Sequence, residues 1–278
     1  MMKWLVPMLG ALSLWPAVAR SQTCPPPEST QSVDNNNGTY SVSQIVEVNP
    51  IIWISNAGED TISKINTSQN KEVARYRVAF WAGGIGGNGS GWTTHDAWTG
   101  PAPSRSGVDA SGNAFIANRG FNRVAEVIKI LSTGCIDRNN NGVCDTSQDT
   151  NGDGAIQQTE MYGIVDSNGN GVIEDAELRD ERVAYIRPVG AYNEVARALT
   201  IDKNGFVWVG MFNTQRIYKV DPNTGATLGN WALGASPYGA VVDSQNRLFT
   251  AGLDTNVQKR LDTTNPASQS SYTPESSY

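Results

Sequence analysis

Short runs of alternating apolar and polar residues recur along the chain, and each run predicts a β-strand. Three of these runs follow one turn pattern: an apolar residue, Asp, two turn residues, and Gly or Asn. An alternating segment with an aromatic residue comes next. The copies are Val108–Asn118, Ile201–Met211 and Val242–Gly252, and Ile51–Asn56 repeats the aromatic segment without the turn. Because Asp, Asn and Gly tolerate the backbone of tight turns, each full copy predicts a β-hairpin.

A second alternating run follows each aromatic segment. The copies of this second run are Asp60–Asn66, Asn122–Ile130, Gln215–Asp221 and Asn256–Asp262. A further turn and strand, Ala226–Leu233, come after the third copy, so each unit predicts a meander of about four strands. The aromatic residues Trp208 and Phe249 of two successive units are 41 residues apart. A period near 40 with four strands per unit is typical of a β-propeller blade, so we predict an all-β propeller fold.

The other intervals are longer, with 62 residues from Trp53 to Phe115 and 93 from Phe115 to Trp208. Both intervals therefore require an insertion. The predicted organisation is a signal peptide (1–19), a flexible leader (20–39), blades one and two (40–134), a calcium-binding insertion (135–182), blades three and four (183–266), and a tail or the start of a further blade (267–278).

The segments Trp53–Asn66 and Ile217–Gly225 resemble the repeats of exported bacterial β-propellers of the YVTN and NHL type, including streptogramin-lyase-like chains. The resemblance covers roughly residues 45–133 and 183–265. It implies the fold but no function, because propellers include binding proteins and enzymes alike. Such propellers usually close with about six or seven blades, whereas four are visible here. Since Ser277-Tyr278 aligns with Pro237-Tyr238 at the start of a unit, we expect a truncated piece of a longer protein; the alternative is a natural polar tail.

Composition and charge narrow the possible functions. The 278 residues are 39% hydrophobic and 17% charged, which supports a packed core and argues against wholesale disorder. The formal charge is −6, which gives no support to nucleic-acid binding. Residues 137–181 carry eleven acidic and two basic residues, a net charge of −9, so the rest of the chain carries +3. This local acidity indicates a bound cation.

Two segments of the insertion match the calcium-loop pattern D-x-[DN]-x-[DN]-G-x₅-E. The predicted oxygen donors at positions 1, 3, 5, 7, 9 and 12 are Asp149, Asn151, Asp153, Ala155, Gln157 and Glu160 in the first loop, and Asp166, Asn168, Asn170, Val172, Glu174 and Glu177 in the second. Six to eight flexible oxygen ligands suit Ca²⁺ better than Mg²⁺. At position 8, Ile156 and Ile173 are expected to pair the two loops back to back.

A third, weaker loop precedes these two. Its predicted donors are Asp137, Asn139, Asn141 and Asp145. Gln148 occupies position 12, and Asp149 is the candidate shared ligand one residue later. This arrangement resembles thrombospondin type-3 repeats, in which Asp-rich turns share ligands. Cys135 and Cys144 bracket the loop and are the expected disulfide, which leaves Cys24 free or bonded to a partner outside the chain.

The sequence disfavours two alternatives to a structural calcium module. An Asn- and Gly-rich loop without an ion is disfavoured by two full motif matches in tandem. A sensor EF-hand pair is disfavoured because only five residues separate Glu160 from Asp166, too few for the two intervening helices. Outside the cell, weak structural calcium sites suffice.

Export is predicted from the N-terminus. Lys3 precedes an apolar stretch, Leu5–Trp15, and Ala17–Ala19 fits a signal-peptidase site. The stretch is too short for a membrane anchor, and no later stretch is apolar enough to span a bilayer. Lipidation of Cys24 is disfavoured because the residues before it do not form a lipobox. The expected location is secreted, periplasmic or cell-surface.

No catalytic constellation is evident. The chain has a single histidine, His95, and no G-x-S-x-G nucleophile motif, whereas a streptogramin-lyase-like site needs more than one histidine. Gly83–Gly89 lacks the Lys-Ser/Thr of a phosphate loop. The tryptophans Trp81, Trp92 and Trp98 cluster in one loop and either stack on a sugar or peptide or pack over the channel mouth.

The sequence therefore favours a non-enzymatic, calcium-binding interaction module for an unknown protein or glycan at the cell surface. One alternative is a lyase or lactonase whose active site lies partly in missing C-terminal blades. Another is a purely structural envelope or adhesion segment.

Overall fold

The computed structural model describes residues 50–79, 98–170, 173–253 and 256–273, all within the compact unit Asn49–Tyr278. The signal peptide and leader predicted for residues 1–39, the Gly83–Gly89 segment, His95 and the tryptophans at 81 and 92 lie outside the described residues. Within the described ranges, no helix has the length and apolar character needed to cross a membrane.

Fifteen described strands form four antiparallel sheets, each with its strands in chain order. The first sheet contains β1 (Ile51–Asn56), β2 (Thr61–Asn66) and β3 (Lys71–Arg77). The second contains β4 (Pro103–Val108), β5 (Ala114–Asn118), β6 (Val124–Ile130) and β7 (Val183–Tyr192). The third contains β8 (Ala196–Ile201), β9 (Val207–Met211), β10 (Arg216–Val220) and β11 (Thr227–Ala232). The fourth contains β12 (Pro237–Val242), β13 (Arg247–Gly252), β14 (Gln258–Asp262) and β15 (Gln269–Tyr272).

Successive sheets meet through their first strands. Strand β4 contacts β8, β8 contacts β12, and β1 contacts β4. Consecutive meanders joined through their innermost strands are the arrangement of propeller blades. The prediction of an all-β propeller with four-stranded blades is therefore confirmed, with three described strands in the first blade and four in each of the others.

The recurring Asp of the repeat holds the turn between the first two strands of a blade. Asp109 Oδ1 accepts hydrogen bonds from the backbone amides two and four residues later, both at 2.9 Å. Asp202 and Asp243 make the equivalent pair of bonds in the third and fourth sheets. The second oxygen of Asp202 also accepts from Trp208 Nε1 at 2.9 Å, so the turn fixes the buried aromatic residue. One short motif thus determines both the turn and the core residue of a blade.

Two strands fall outside the predicted blade boundaries. The segment Val183–Tyr192, which the sequence assigned to the third blade, pairs with β6 and completes the second sheet. The insertion therefore interrupts the second blade between its third and fourth strands. Strand β15, within the predicted tail, pairs with β14 and completes the fourth sheet. The outermost strands carry none of the repeated turn motif, so periodicity alone does not assign them to the correct blade.

The insertion shares its core with the first two blades. Ile164, Ile173 and Leu178 of the insertion are buried in one cluster with Trp53 and Tyr76 of the first sheet. Full burial of an aliphatic side chain contributes about 1.5–3 kcal/mol. The insertion is thus packed on the propeller rather than held only at its ends.

Buried Lys64 of β2 leads to a pH prediction. Its Nζ donates to the Ser132 carbonyl at 2.9 Å and lies 5.3 Å from the centre of the Trp53 ring. Burial, and then the charge of Arg182, lower the pKa of Lys64 to about 8. In the unfolded chain the amine titrates near a pH of about 10.4, so between these values the unfolded state binds more protons.

The stability of the wild type is therefore expected to rise between pH 7.5 and 9.5 relative to that of Lys64→Met. Urea unfolding of both proteins across this range measures the difference. A difference that does not change with pH would show that Lys64 titrates normally in the folded protein.

Candidate calcium-binding segment

The three Asp-rich segments of the insertion fold into loops of one kind. Asp149 accepts hydrogen bonds from the amides of Gly152 at 2.7 Å and Gly154 at 2.9 Å. Asp166 and Asp137 likewise accept from amides at positions 4 to 6 of their own loops. The first residue of each loop therefore closes the turn with its carboxylate.

The backbone conformation of the loops repeats as well. Position 4 is left-handed in all three, with φ values of 75° at Gly152, 73° at Gly169 and 56° at Asn140. Position 6 is left-handed at Gly154 and Gly142. Gly and Asn are the residues that adopt this conformation at low cost, which explains their places in the motif.

The side chains at positions 3, 5 and 9 of each loop converge. In the first loop, Asn151 Nδ2 donates to Asp153 Oδ2 at 3.1 Å and to Gln157 Oε1 at 2.9 Å. In the other loops, both Asn side chains donate to the residue at position 9, which is Glu174 in the second and Asp145 in the third. Each loop thus gathers its polar side chains around one centre.

The glutamates at position 12 are buried beneath the two full loops. Glu160 and Glu177 end short 3₁₀ helices, Gln158–Glu160 and Asp175–Glu177. Glu160 Oε1 accepts from the Thr150 hydroxyl at 2.6 Å and from the Thr150 amide at 2.9 Å.

Hydrogen bonds keep both of these glutamates ionised. The Thr150 hydroxyl is the main cause that lowers the pKa of Glu160. The Glu174 side chain, followed by the Ser167 hydroxyl, lowers the pKa of Glu177. Both carboxylates therefore stay negative near neutral pH and remain oxygen donors.

A distant glutamate takes the place of position 12 in the third loop. Glu181 Oε1 accepts from the amide of Arg138 at 2.8 Å, and Oε2 accepts from the amide of Asp145 at 3.0 Å. These amides occupy positions 2 and 9, the same positions whose amides Glu160 accepts in the first loop. Glu181 is 2% exposed, whereas Gln148 is exposed. Glu181 does not belong to the sequence motif, because it lies outside the loop along the chain and only the fold brings it there.

A disulfide and the Glu181 carboxylate both hold the third loop closed. The expected disulfide between Cys135 and Cys144 is present, with Cα atoms 5.7 Å apart. Asp149 does not complete this loop, because its two oxygens accept from amides of its own loop. Glu181 makes the equivalent contacts instead.

The loops do not pair through their position-8 isoleucines as expected. The amide of Ile156 donates to Glu72 Oε2 of the first blade at 3.1 Å instead. The antiparallel bridge in this part of the insertion joins Ile164 to Leu178. The back-to-back prediction is therefore wrong, because the first loop turns its backbone toward the propeller.

Strand β3 of the first blade receives the first loop. The Glu72 amide donates to the Gly154 carbonyl at 3.2 Å, and Lys71 Nζ donates to the Gly152 carbonyl at 2.9 Å. The insertion leaves the second blade after β6 and returns as β7, so it joins the outer strands of two blades. The insertion also covers part of the outer edge of β3, the last described strand of the first sheet.

The donor set fits calcium. Each full loop offers carboxylate, amide and carbonyl oxygens, which are the ligands of a hard cation. Across the described ranges, no three Asp, Glu, His or Cys side chains form a metal-binding group by themselves. Oxygen donors of this kind suit a hard cation better than a transition metal, whose usual ligands include His nitrogen and Cys sulfur. Val172, at position 7 of the second loop, lies outside the described residues.

No protein-family model matches this chain, and no curated protein sequence matches it. Among solved structures, a catalytically inactive virginiamycin B lyase from Staphylococcus aureus with quinupristin aligns with a TM-score of 0.50 and 13% identity, covering 83% of this chain and 54% of that one. A streptogramin B lyase structure aligns with a TM-score of 0.47 and 12% identity. The alignment covers 89% of this chain and 55% of the lyase chain. BamB from Moraxella catarrhalis aligns with a TM-score of 0.41 and 14% identity. The alignment covers 80% of this chain and 45% of BamB.

The fold is that of a β-propeller. This chain spans about half the length of the lyase structures that it matches. Sequence identity this low shows a shared fold and nothing about function, because one fold can occur in enzymes and in binding proteins. Function must therefore be argued from the residues of this chain.

Proposed function

We propose that this protein is an exported, calcium-binding β-propeller that acts as a binding module at the cell surface or in the space outside the cell. The observation that carries the proposal is the common hydrogen-bond pattern of the three loops. In each loop an Asp closes the turn, the side chains at positions 3, 5 and 9 converge, and a buried Glu accepts the amides at positions 2 and 9.

The role of calcium in this proposal is structural. When bound, the ion supplies positive charge among eleven acidic residues that only two arginines oppose between residues 137 and 181. The carboxylates at positions 1 and 12 would hold it, with the amide oxygens at positions 3 and 5. Extracellular calcium modules bind with dissociation constants of about 10⁻⁴–10⁻³ M, so export and weak sites support each other.

The location of the loops explains how a bound ion would stabilise the propeller. Because the insertion joins β3 of the first blade to β7 of the second, ordering the loops stabilises the seam between two blades. A stable seam keeps the loop faces of the blades in fixed positions, which a protein- or glycan-binding surface requires. The Cys135–Cys144 disulfide supports an oxidising, extracellular location.

Equilibrium dialysis with radioactive calcium tests the metal part of the proposal. We expect saturable binding in the millimolar range or tighter, with little competition from an equal concentration of Mg²⁺. Asp166→Asn should remove one bound ion. Asp175→Asn is the matched control, because Asp175 occupies a non-ligand position and pairs with Arg187. Absence of calcium binding at several millimolar would overturn the assignment.

A glycan array and a pull-down from the cell envelope, each with and without Ca²⁺, test the interaction role. Calcium-dependent retention of a specific ligand supports a binding module. Hydrolysis or elimination of a retained lactone by the purified protein would favour an enzyme instead.

A further inference from the structure

Arginine and aromatic side chains alternate at one end of the innermost strands of three blades, with Arg105, Arg197 and Tyr238 on β4, β8 and β12, and Trp98 and Arg119 on the segments beside β4 and β5. The order is Arg119, Trp98, Arg197, Tyr238 and Arg105, and we call this set the arginine–aromatic ladder. The Arg119 and Arg197 guanidinium carbons lie 5.3 and 4.9 Å from the Trp98 ring centre. Those of Arg197 and Arg105 both lie 4.8 Å from the Tyr238 ring centre. The ladder thus spans the second, third and fourth blades.

A repeated backbone feature positions two members of the ladder, Arg197 and Tyr238. The first strand of each of these three sheets contains a register shift beside its first residue, which leaves Ser104, Arg197 and Tyr238 as the extra residues. Such bulges re-aim a side chain, and they are common beside functional sites. The buried Ser104 hydroxyl has no hydrogen-bond partner in the described part of the chain. The same irregularity in three blades therefore places polar side chains at one end of the innermost strands.

The guanidinium group of Arg197 contacts aromatic rings, whereas its N–H edge has no hydrogen-bond partner among the described residues. Arg197 is 7% exposed, and its guanidinium is near two aromatic rings. Among the residues that the structure describes, its guanidinium N–H groups donate no hydrogen bond. Arg105 is fixed differently, since its Nε donates to the Arg197 carbonyl at 2.6 Å and its Nη2 donates to the Tyr238 carbonyl at 3.0 Å. The donor edge of Arg197 therefore has no acceptor among the described residues.

The ladder concentrates positive charge. Burial is the main cause that lowers the pKa of both Arg119 and Arg197, and the charges of neighbouring arginines lower these pKa values further. Arg197 lies within charge–charge range of both Arg119 and Arg105. Because arginine does not lose its proton in proteins, the guanidinium groups remain cationic. Their mutual repulsion falls when an anion binds among them.

We propose that the arginine–aromatic ladder binds the oxyanion group of a ligand, with the N–H edge of Arg197 as the principal donor. A planar guanidinium edge matches a carboxylate or a tetrahedral oxyanion with two parallel hydrogen bonds. Trp98 is 59% exposed and offers an apolar face beside this edge, so a ligand with an aromatic or apolar group next to its anion fits. Arg105, Arg197 and Tyr238 lie on the innermost strands, whereas the first calcium loop contacts the outer strand β3, so the two sites are tested separately.

The test is an NMR titration of ¹⁵N-labelled, calcium-saturated protein that follows the arginine Nε–H resonances. Benzoate probes the planar carboxylate, sulfate probes the tetrahedral oxyanion, and chloride balances the ionic strength. For probes of this size we expect a dissociation constant on the order of 1 mM. Arg197→Gln should weaken binding by about tenfold or more, since it removes charge-assisted hydrogen bonds. Arg197→Lys, which keeps the charge without the planar edge, should also weaken it.

Arg247→Gln is the matched control. Arg247 also lies near an aromatic ring, at 5.8 Å from the centre of Phe249, but its Nε already donates to Asp243 at 2.6 Å. This variant should bind as the wild type does. Saturable binding of benzoate alone identifies a carboxylate ligand, and binding of sulfate alone identifies a tetrahedral oxyanion. Failure of both anions to bind the wild type, or equal binding by folded Arg197→Gln, overturns the proposal whatever the calcium result.

Discussion

Removal of calcium with EGTA is expected to lower the thermal unfolding midpoint of this protein by roughly 15 °C or more. The magnitude follows from mass action, because each site held at a hundredfold excess over its dissociation constant contributes about 2.7 kcal/mol. Without the ion, the carboxylates of a segment that carries a net charge of −9 between residues 137 and 181 repel one another. Calorimetry in saturating CaCl₂ and in EGTA measures the effect.

The region that loses stability on chelation also tests the proposal. Because the first loop bonds to Lys71 and Glu72 of β3, chelation should raise hydrogen exchange in β3 and β7 before it does so in the fourth sheet. Re-addition of Ca²⁺ should restore the midpoint, and the same concentration of Mg²⁺ should not. Identical unfolding with and without chelator would show that the loops fold around hydrogen bonds alone.

Replacement of Glu181 by Ala is expected to destabilise the protein by about 2–6 kcal/mol, because two backbone amides lose their acceptor and each unsatisfied group costs about 1–3 kcal/mol. These are the amides of Arg138 and Asp145, which the buried carboxylate holds together. The same change should lower calcium stoichiometry by one ion if Glu181 serves the third loop as Glu160 serves the first. Urea unfolding and equilibrium dialysis measure the two effects.

Two further variants separate the causes. Glu181→Gln keeps an acceptor oxygen and removes the charge, so it should lose the ion with a smaller loss of folding stability. Asp175→Ala is the control, since its partly exposed ion pair with Arg187 is worth no more than about 1 kcal/mol. If Glu181→Ala binds as many ions as the wild type, the third loop either binds no calcium or binds it without this glutamate.

The sequence by itself determined the features that are encoded locally. The blade repeat is legible because one Asp, such as Asp202, fixes a turn and orders a buried Trp208 only six positions away. The two segments that match the calcium-loop pattern can be recognised for the same reason, since each pattern lies within twelve consecutive residues. The Cys135–Cys144 pair closes a short loop, and its partner choice was therefore clear.

Only the tertiary structure decided the features that join distant segments. Glu181 reaches a loop that begins more than forty residues earlier, and β7 returns across the insertion to complete the second blade. The binding of the first loop to β3 and the alignment of Arg197 with Trp98 and Tyr238 likewise depend on how the blades pack. Such contacts leave no period or spacing in the chain, because they depend on which surfaces packing brings together rather than on any local pattern.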